Sequence, residues 1–391
     1  MQYSSLTVSI RKISQKRLFS LLTMSLLQKF QESMESVYGK FSTVTDATKW
    51  EPPPKSGGHR GRYLWTDAFG VLNFLTLYKE LSLRGDKTAA DNSLIFAQRL
   101  ITTVHDVLGY TRDGHSRLPG ATHEEPLKGG LRIGKEDETG PDGDGQYFHY
   151  LSMWMFTLNR MSIATGDPSY NRQAVSLAKA IHPYFFLNRT SDRPHMVWKV
   201  AMDLSRPLVA SEGNLDPMDG YVVFRLLQAS AMKYGDGEIL KEEIGDYRKV
   251  MARKGDHFVT RDPLDLGMTL WTAHWFAGRE SWADRLVERC FFQLHRLFDD
   301  NHFLEMNLRC RLAFREFGIC LGIGCITYRE ASNNAEGFCN RSEEIITQWE
   351  KHMSSLTPED LKPITRVMYS TALIPGAFKS RYLGDEPMDQ V

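Results

Sequence analysis

Cysteine is scarce in this chain, and its few copies are not arranged for cross-links or metal binding. Only five cysteines occur among 391 residues, all between positions 290 and 339, and no two of them form a C-x-x-C pair. A disulfide framework or a structural zinc site would need paired, regularly spaced cysteines. The sequence therefore predicts reduced, buried thiols in a cytoplasmic protein, with no metal site.

An excess of either charge is also missing. The 48 basic residues are balanced by 48 acidic ones, so the formal net charge is zero at pH 7. No overall field would attract nucleic acid or an anionic membrane. The partner that we expect is a small-molecule substrate, with neither nucleic acid nor membrane, and the oligomeric state is left open.

Acidic residues are absent from the start of the chain, where the first one is Glu32. The same stretch carries several serines and a basic group consisting of Arg11, Lys12, Lys16 and Arg17. This composition is typical of a transit peptide and makes a mitochondrial location the alternative to the cytoplasm. Another interpretation is that translation starts at Met24 instead of Met1. We treat residues 1–45 as an N-terminal extension and helix.

Strand signals are scarce as well, and long amphipathic segments recur in pairs. In most pairs a short turn with Gly, Asp or Pro separates the two segments, and the first is apolar on most of its surface while the second has one polar face. The paired segments are 64–85 with 88–109, 146–166 with 169–186, 218–235 with 237–254, 264–278 with 280–298, and more weakly 309–325 with 340–354, followed by 358–380. The alternation predicts an inner ring of helices enclosed by an outer one.

A short internal repeat supports the same architecture. The sequences DPMDG at 216–220 and DPLDL at 262–266 open equivalent segments 46 residues apart, and self-similarity at such a period indicates a repeat fold. We predict an all-α fold, a single-domain (α/α)6 toroid over residues 46–385 with a C-terminal tail at 386–391. The pairing and alternation resemble the six-hairpin glycosidase-like superfamily, without a motif that selects a member family.

In such a toroid the loops that lead into the inner helices meet at one mouth, so polar and aromatic residues at helix starts are the site candidates. As acid–base candidates the sequence offers Asp67, Glu212, Asp219 and Asp265, with His149 as an auxiliary. As substrate-binding candidates it offers Arg62, Trp65, Arg132, Tyr147, Trp271, Arg311 and Arg315. The buried setting expected for Asp67 would raise its pKa, unless Arg60 or Arg62 neutralises it.

Several of these residues have a structural interpretation too. Asp216 and Asp262 fit the N-cap position of the two D-P-x-D helices. Arg311 and Arg315 are one turn apart and could clamp an anionic ligand group, or could instead neutralise Asp219 or Asp265. A lone histidine such as His149 often serves in packing.

The segment GGLRIGKEDETGPDGDGQYFHY, residues 129–150, combines glycines, acids and aromatics. It is not a P-loop, because Gly134 and Lys135 are followed by Glu136 instead of Ser or Thr, and it lacks the dinucleotide fingerprint. As an EF-hand counted from Asp142 it would need a glutamate where Met153 stands. No cofactor is predicted. We expect a lid or mouth loop that delivers Arg132, Tyr147 and His149 to the barrel.

Three functions fit this pattern. The first is a carbohydrate-active enzyme, a hydrolase, lyase or epimerase, because carboxylates beside an aromatic cavity suit glycosidic chemistry; an epimerase of the renin-binding-protein type would need His149 and His274 together. The second is a cyclase or isomerase of secondary metabolism, although the Asp-rich terpene-cyclase signatures are absent. The third is a binding protein without catalysis, in which every mouth carboxylate is paired or used as a cap.

Overall fold

In the computed structural model, the described residues are 25–54, 58–140, 142–191, 193–254, 260–327 and 333–387. The predicted transit peptide and the choice between Met1 and Met24 lie outside them. Within these ranges the chain forms twelve α-helices. They are α1 (25–38), α2 (Leu64–Leu83), α3 (Lys87–Leu108), α4 (Phe148–Thr165), α5 (Pro168–Phe185), α6 (Asp216–Lys233), α7 (Lys241–Lys254), α8 (Pro263–Ala273), α9 (Ser281–His295), α10 (Ala313–Ile326), α11 (Asn333–Leu356) and α12 (Lys362–Leu373).

The even-numbered helices form a closed inner ring. Each of them contacts the next one along the chain, and α12 returns to contact α2. Each odd-numbered helix from α3 to α11 packs outside the inner helix that precedes it. The polarity of the sequence explains the two layers, because α2 is buried without interruption from Leu64 to Leu77, whereas α3 buries one face. The predicted all-α (α/α)6 toroid is confirmed.

The first helix supplies the outer partner of the last inner helix. The Ser33 hydroxyl donates to the carbonyl of Arg366 at 2.9 Å, and the Ser370 hydroxyl donates to the carbonyl of Phe30 at 3.4 Å. Both contacts join α1 to α12, which are more than 300 residues apart in sequence. The two ends of the described chain therefore close the ring together.

Strands are few and short among the described residues. β1 (Gln146–Tyr147) pairs antiparallel with β4 (Lys199–Val200), with Gln146 opposite Val200. β2 (Phe186–Leu187) pairs antiparallel with β3 (His195–Met196). The first pair fixes the chain just before α4 and so helps to position the start of that helix.

The C-terminal segment 374–387 closes the end of the ring at which the inner helices finish. Phe378 packs against Phe69 and Trp271, with ring centroids 4.8 and 6.1 Å apart, and its carbonyl accepts a hydrogen bond from the Trp271 indole. His274 accepts a hydrogen bond from the backbone N–H of Ser380 at 3.1 Å. We call segment 374–387 the floor of the ring.

The contact between α8 and α10 depends on glycine. A Cβ atom on Gly267 would lie 1.9 Å from the carbonyl oxygen of Gly318, and one on Gly322 would lie 2.2 Å from that of Gly267. The two backbones approach more closely than any side chain allows.

Substitution Gly267→Ala should lower the free energy of unfolding by about 1–3 kcal/mol, because the helices must separate to admit the methyl group. Urea denaturation followed by circular dichroism measures this. Gly245→Ala in α7 is the matched control, since a Cβ there has no neighbour within 4 Å, and it should stabilise the chain by about 0.5–1 kcal/mol. Equal effects of the two substitutions would contradict this account.

Candidate active site

A cavity of about 440 Å³ lies at the end of the ring where the inner helices begin. Five of the six inner helices contribute to its wall near their first residues, through Trp65 and Thr66, His149 and Tyr150, Leu264, Phe314 and Ile364. The remaining lining comes from the loops and consists of Gly58, Tyr63, Lys135, Glu136, Asp137, Asp142, Asp360 and Leu361. The cavity is therefore at the mouth that the fold predicts.

One wall of the cavity is aromatic. The Tyr63 and Tyr150 hydroxyl oxygens are 2.6 Å apart, and the Trp65 ring lies 5.4 Å from that of Tyr150. Trp65 was a predicted binding residue, and the structure places it in this wall. Tyr63 and Tyr150 were not predicted, although each stands within two residues of the start of an inner helix.

His149 faces a carboxylate within this aromatic surrounding. Its Nδ1 is 3.5 Å from Oδ1 of Asp216, and its side chain keeps 30% exposure while that of Asp216 keeps 3%. The rings of Trp65, Tyr150 and Trp198 lie 6.0, 4.8 and 6.4 Å from the imidazole. The pair can hold a proton at the edge of the cavity.

The expected N-cap role of Asp216 is wrong. Helix α6 begins at Asp216 itself, its N-cap is Leu215, and no side chain caps it. A carboxylate on the first helical residue is past the N-cap position, from which a side chain reaches the next backbone N–H groups. It is therefore available to His149.

Asp262 does cap its helix, as predicted. Its Oδ1 accepts hydrogen bonds from the N–H groups of Leu264 and Asp265 at 2.9 and 3.1 Å, and its Oδ2 pairs with Arg315. Arg315 therefore neutralises the cap at the rim of the ring.

Asp265 lies beside the lining residue Leu264 and is half-buried. Its Oδ2 accepts hydrogen bonds from the Asn214 amide at 2.9 Å and from the Thr260 hydroxyl at 3.3 Å. Burial raises its pKa above the ordinary value, since the two neutral donors and the more distant Arg315 offset only part of the cost of desolvation.

Asp219 is more deeply placed. It is 3% exposed, and its Oδ1 accepts a hydrogen bond from the hydroxyl of Thr272, near the end of α8, at 2.8 Å. Burial, with the negative charges of Asp216 and Asp265, raises its pKa well above the ordinary value. Among the described residues no lysine or arginine contacts it, so no cation offsets the cost of burying its charged form.

Asp67 and Arg62 form a buried pair away from the cavity lining. Their side chains are 3.5 Å apart, and the Tyr38 hydroxyl donates to Asp67 at 3.0 Å. Burial raises the pKa of Asp67 to about 6, against the lowering effect of Arg62 and Tyr38. Arg62 also donates to the carbonyls of Pro52 and Pro53, so both residues order the entrance.

Arg132 anchors the segment 129–145, which we call the mouth loop. It is fully buried and donates to Asp144 at 2.6 Å, where Arg112 also donates at 2.7 Å. The other Asp144 oxygen accepts from the N–H groups of Gly134 and Gly145. The loop that is held in this way brings Lys135 to the cavity.

Tyr147 and Glu212 also serve structural contacts. The Tyr147 hydroxyl donates to the carbonyl of Gly143 at 3.0 Å, and burial raises its pKa above the ordinary range. Glu212 accepts from the N–H of Met196 at 3.1 Å and lies 4.0 Å from Arg253. Neither side chain belongs to the lining described above.

Arg311 and Arg315 do not share a helical face. Helix α10 begins at Ala313, so Arg311 precedes it and turns inward to donate to Glu316 at 2.8 Å and to Gln348 at 3.0 Å. Because each arginine is paired with a carboxylate, they do not form the predicted clamp at the cavity.

Trp271 and His274 are at the floor. Trp271 is 1% exposed, packed on Phe378, and His274 is bound to Ser380. His274 is therefore at the opposite end of the ring from His149, and the histidine pair needed for an epimerase of the renin-binding-protein type is not assembled.

Among the described residues, no three His, Cys, Asp or Glu side chains are grouped so that they could hold a metal ion. Across the same ranges, no helix combines the length and the apolarity that crossing a lipid bilayer requires.

No protein-family model matches the chain, and no curated protein matches it. The chain is similar to a solved structure described as "Crystal Structure of a family 76 glycoside hydrolase from a bovine Bacteroides thetaiotaomicron strain". The TM-score is 0.56 at 12% sequence identity, and the match covers 90% of this chain and 77% of that one. At this identity the likeness shows the fold alone, which is an (α/α)6 toroid.

Proposed function

We propose that the protein is an enzyme that acts on a carbohydrate or glycoside by general acid–base chemistry in the mouth cavity. The observation that carries this proposal is the His149–Asp216 pair at the edge of a cavity with an aromatic wall. An imidazole that is partly exposed to such a cavity and faces a carboxylate is placed to act as a general acid or base toward a bound ligand.

The aromatic wall suits the binding of a sugar. The faces of Tyr63, Trp65 and Tyr150 offer apolar surface to the C–H groups of a pyranose ring, and the paired phenols offer hydrogen bonds to its hydroxyls. The two phenols share one hydrogen bond, so one O–H group is left to donate to a ligand.

The acids at the mouth support catalysis over binding alone. A binding scaffold would keep its carboxylates paired, as Asp67, Asp144 and Asp262 are paired with arginines. Within the described residues Asp219 and Asp265 contact no arginine or lysine, and burial raises the pKa of both. Buried acids without a cation cost stability, and this is common where a raised pKa is used in proton transfer.

In this proposal His149 is the base or acid that touches the substrate, and Asp216 positions it. Asp265 is the second acid, because it is half-buried and adjoins the lining residue Leu264. Asp219 is close enough to Asp216 and Asp265 for their negative charges to raise its pKa. The residues predicted from the sequence that this proposal retains in the site are Trp65, His149, Asp219 and Asp265.

A second candidate is a cyclase or isomerase that acts on a hydrophobic metabolite. The observation in its favour is an apolar group in the same lining, which consists of Leu264, Phe314, Leu361 and Ile364. Such a wall would accept an apolar substrate as readily as the non-polar face of a sugar.

A ligand screen with the full chain separates the two. We expect monosaccharides and glycosides to raise Tm, because a ligand that binds only the native state stabilises it. The variant Trp65→Phe should reduce this rise, whereas Trp282→Phe, which alters a half-buried tryptophan packed on Tyr221 outside the lining, should not. A rise with apolar metabolites and none with any sugar would refute the carbohydrate proposal.

A further inference from the structure

The charged groups that line the cavity are mostly acidic. The described lining contains four carboxylates, Glu136, Asp137, Asp142 and Asp360, against one ammonium, that of Lys135. Their sum is three negative charges, in a chain whose formal net charge is zero. A cleft with one sign of charge concentrates ligands of the opposite sign.

More carboxylates lie just beyond the lining. Asp216 contacts His149, and Asp216 and Asp265 both raise the pKa of Asp219 by their negative charge. These acids stand in the first turns of α6 and α8, where the positive ends of the helix dipoles offset them. The mouth-loop acids and Asp360 are outside α6 and α8, so their charge adds to the field in the cavity.

One buried oxygen at the edge of the cavity lacks a hydrogen bond. It is Oδ1 of Asp216, in a residue that is 2% exposed, and it faces Nδ1 of His149 at 3.5 Å. Buried carboxylate oxygens normally accept hydrogen bonds, and an orphaned one indicates a missing partner. The group that faces this oxygen is the His149 imidazole, which does belong to the lining.

The cavity already receives one ammonium group from the chain itself. Nζ of Lys135 lies 5.1 Å from the centroid of the Tyr63 ring, which is within the range of a cation–π contact. Tyr63 and Lys135 both belong to the lining. The Tyr63 face is therefore a position where a cation is stabilised by an aromatic ring, in a cavity that the mouth-loop acids also line.

We propose that the substrate carries a protonated amine, as an amino sugar or a glycoside with a free amino group does, and that this amine takes the place of the Lys135 ammonium. The inference rests on the proposed function above, whose substrate class it narrows. Uronic acids and phosphorylated sugars are rejected, because each would bring a negative charge to a site that already has an excess of them.

The test compares matched sugars on the full chain by isothermal calorimetry. Glucosamine, galactosamine and mannosamine are each compared with the parent hexose, the N-acetylated sugar and the uronic acid, at about pH 6, where exposed carboxylates are ionised and the amino-sugar amines are protonated. We expect each amine to bind roughly tenfold more tightly than its N-acetylated form, a preference that decreases with added salt. The uronic acids should bind most weakly.

Two variants test whether the preference for amines comes from the charged residues of the cavity. Lys135→Gln should strengthen amine binding by roughly three- to tenfold relative to the binding of neutral sugars, because it removes both the competing cation and its repulsion. Asp137→Asn combined with Asp142→Asn should weaken amine binding alone. Lys241→Gln, which alters an exposed lysine paired with Glu238, is the control and should change neither.

The possible failures are distinguishable. If neutral hexoses bind as tightly as the amines, or if Lys135→Gln does not favour the amines, the amine proposal is overturned and the carbohydrate function stands. If no sugar of any charge binds while apolar metabolites do, the carbohydrate function fails and the amine proposal fails with it.

Discussion

Substitution Asp144→Asn should lower the free energy of unfolding by about 3–5 kcal/mol, because it leaves buried guanidinium groups without a counter-charge. Arg132 and Asp144 are both fully buried as side chains, and Arg112 shares the same carboxylate oxygen. Asparagine has nearly the same shape as aspartate. The decrease in the free energy of unfolding therefore reports the lost charge and hydrogen bonds and not a change in packing.

The position of Asp144 makes the effect specific to the mouth. Its second oxygen binds the N–H groups of Gly134 and Gly145, at the two ends of the stretch that brings Lys135 and the loop acids to the cavity. Loss of these contacts should release this stretch before the rest of the ring unfolds. Hydrogen exchange of residues 133–145 should therefore increase more than that of the inner helices.

Urea denaturation measures the global part of this prediction. Asp300→Asn is the control, since Asp300 and Arg296 form an exposed pair at 3.9 Å that should contribute less than about 1 kcal/mol. If Asp144→Asn and Asp300→Asn lower the free energy of unfolding by the same amount, Asp144 does not anchor the mouth loop.

The fold could be predicted from the sequence because its evidence is local. Inner and outer helices differ in how much of their surface is apolar, and that difference can be read within a single segment such as 64–85. The ring closes without any additional sequence motif, because each hairpin packs on the next. The floor could not be predicted, because Phe378 covers Trp271 from more than 100 residues away.

The site was predicted where it follows from position along a helix. Trp65 and His149 both stand at the second residue of an inner helix, and the structure places both in the cavity wall. Asp265, at the third residue of α8, follows the lining residue Leu264 in sequence but is not in the lining itself.

Predictions that required the exact helix start or the path of a loop were less successful. Arg311 was expected on α10 but precedes it, and this frees its side chain to reach Glu316. Arg132 was expected at the mouth, but the loop path turns it toward Asp144. The hydrophobic periodicity of the sequence gives neither the exact start of a helix nor the path of a loop. Helix boundaries are defined only to within one or two residues, and loop contacts join residues that are distant in sequence.

Substitution Asp265→Asn should lower kcat by about 10²- to 10⁴-fold once a substrate is known, because it removes a proton donor from the site. Asparagine can still accept the hydrogen bonds from Asn214 and Thr260, so the local structure is kept. The matched control is Asp284→Asn in the first turn of α9, where Oδ1 accepts a hydrogen bond from the N–H of Gly278 outside the cavity lining. Activity of this control should stay within a few-fold of the wild type.

The dependence on pH distinguishes an acid from a structural residue. Because burial raises the pKa of Asp265, wild-type activity should fall as the pH rises through that value and the donor is lost.

Between the ordinary pKa and the raised one, the native state holds a proton that the unfolded state has released, so wild-type stability also falls as the pH rises. Asparagine does not titrate. The stability of Asp265→Asn relative to the wild type should therefore increase across that window while activity remains low. A variant that is fully active, or one whose stability relative to the wild type declines as the pH rises, would exclude Asp265 as the acid and leave His149 as the group that carries the reaction.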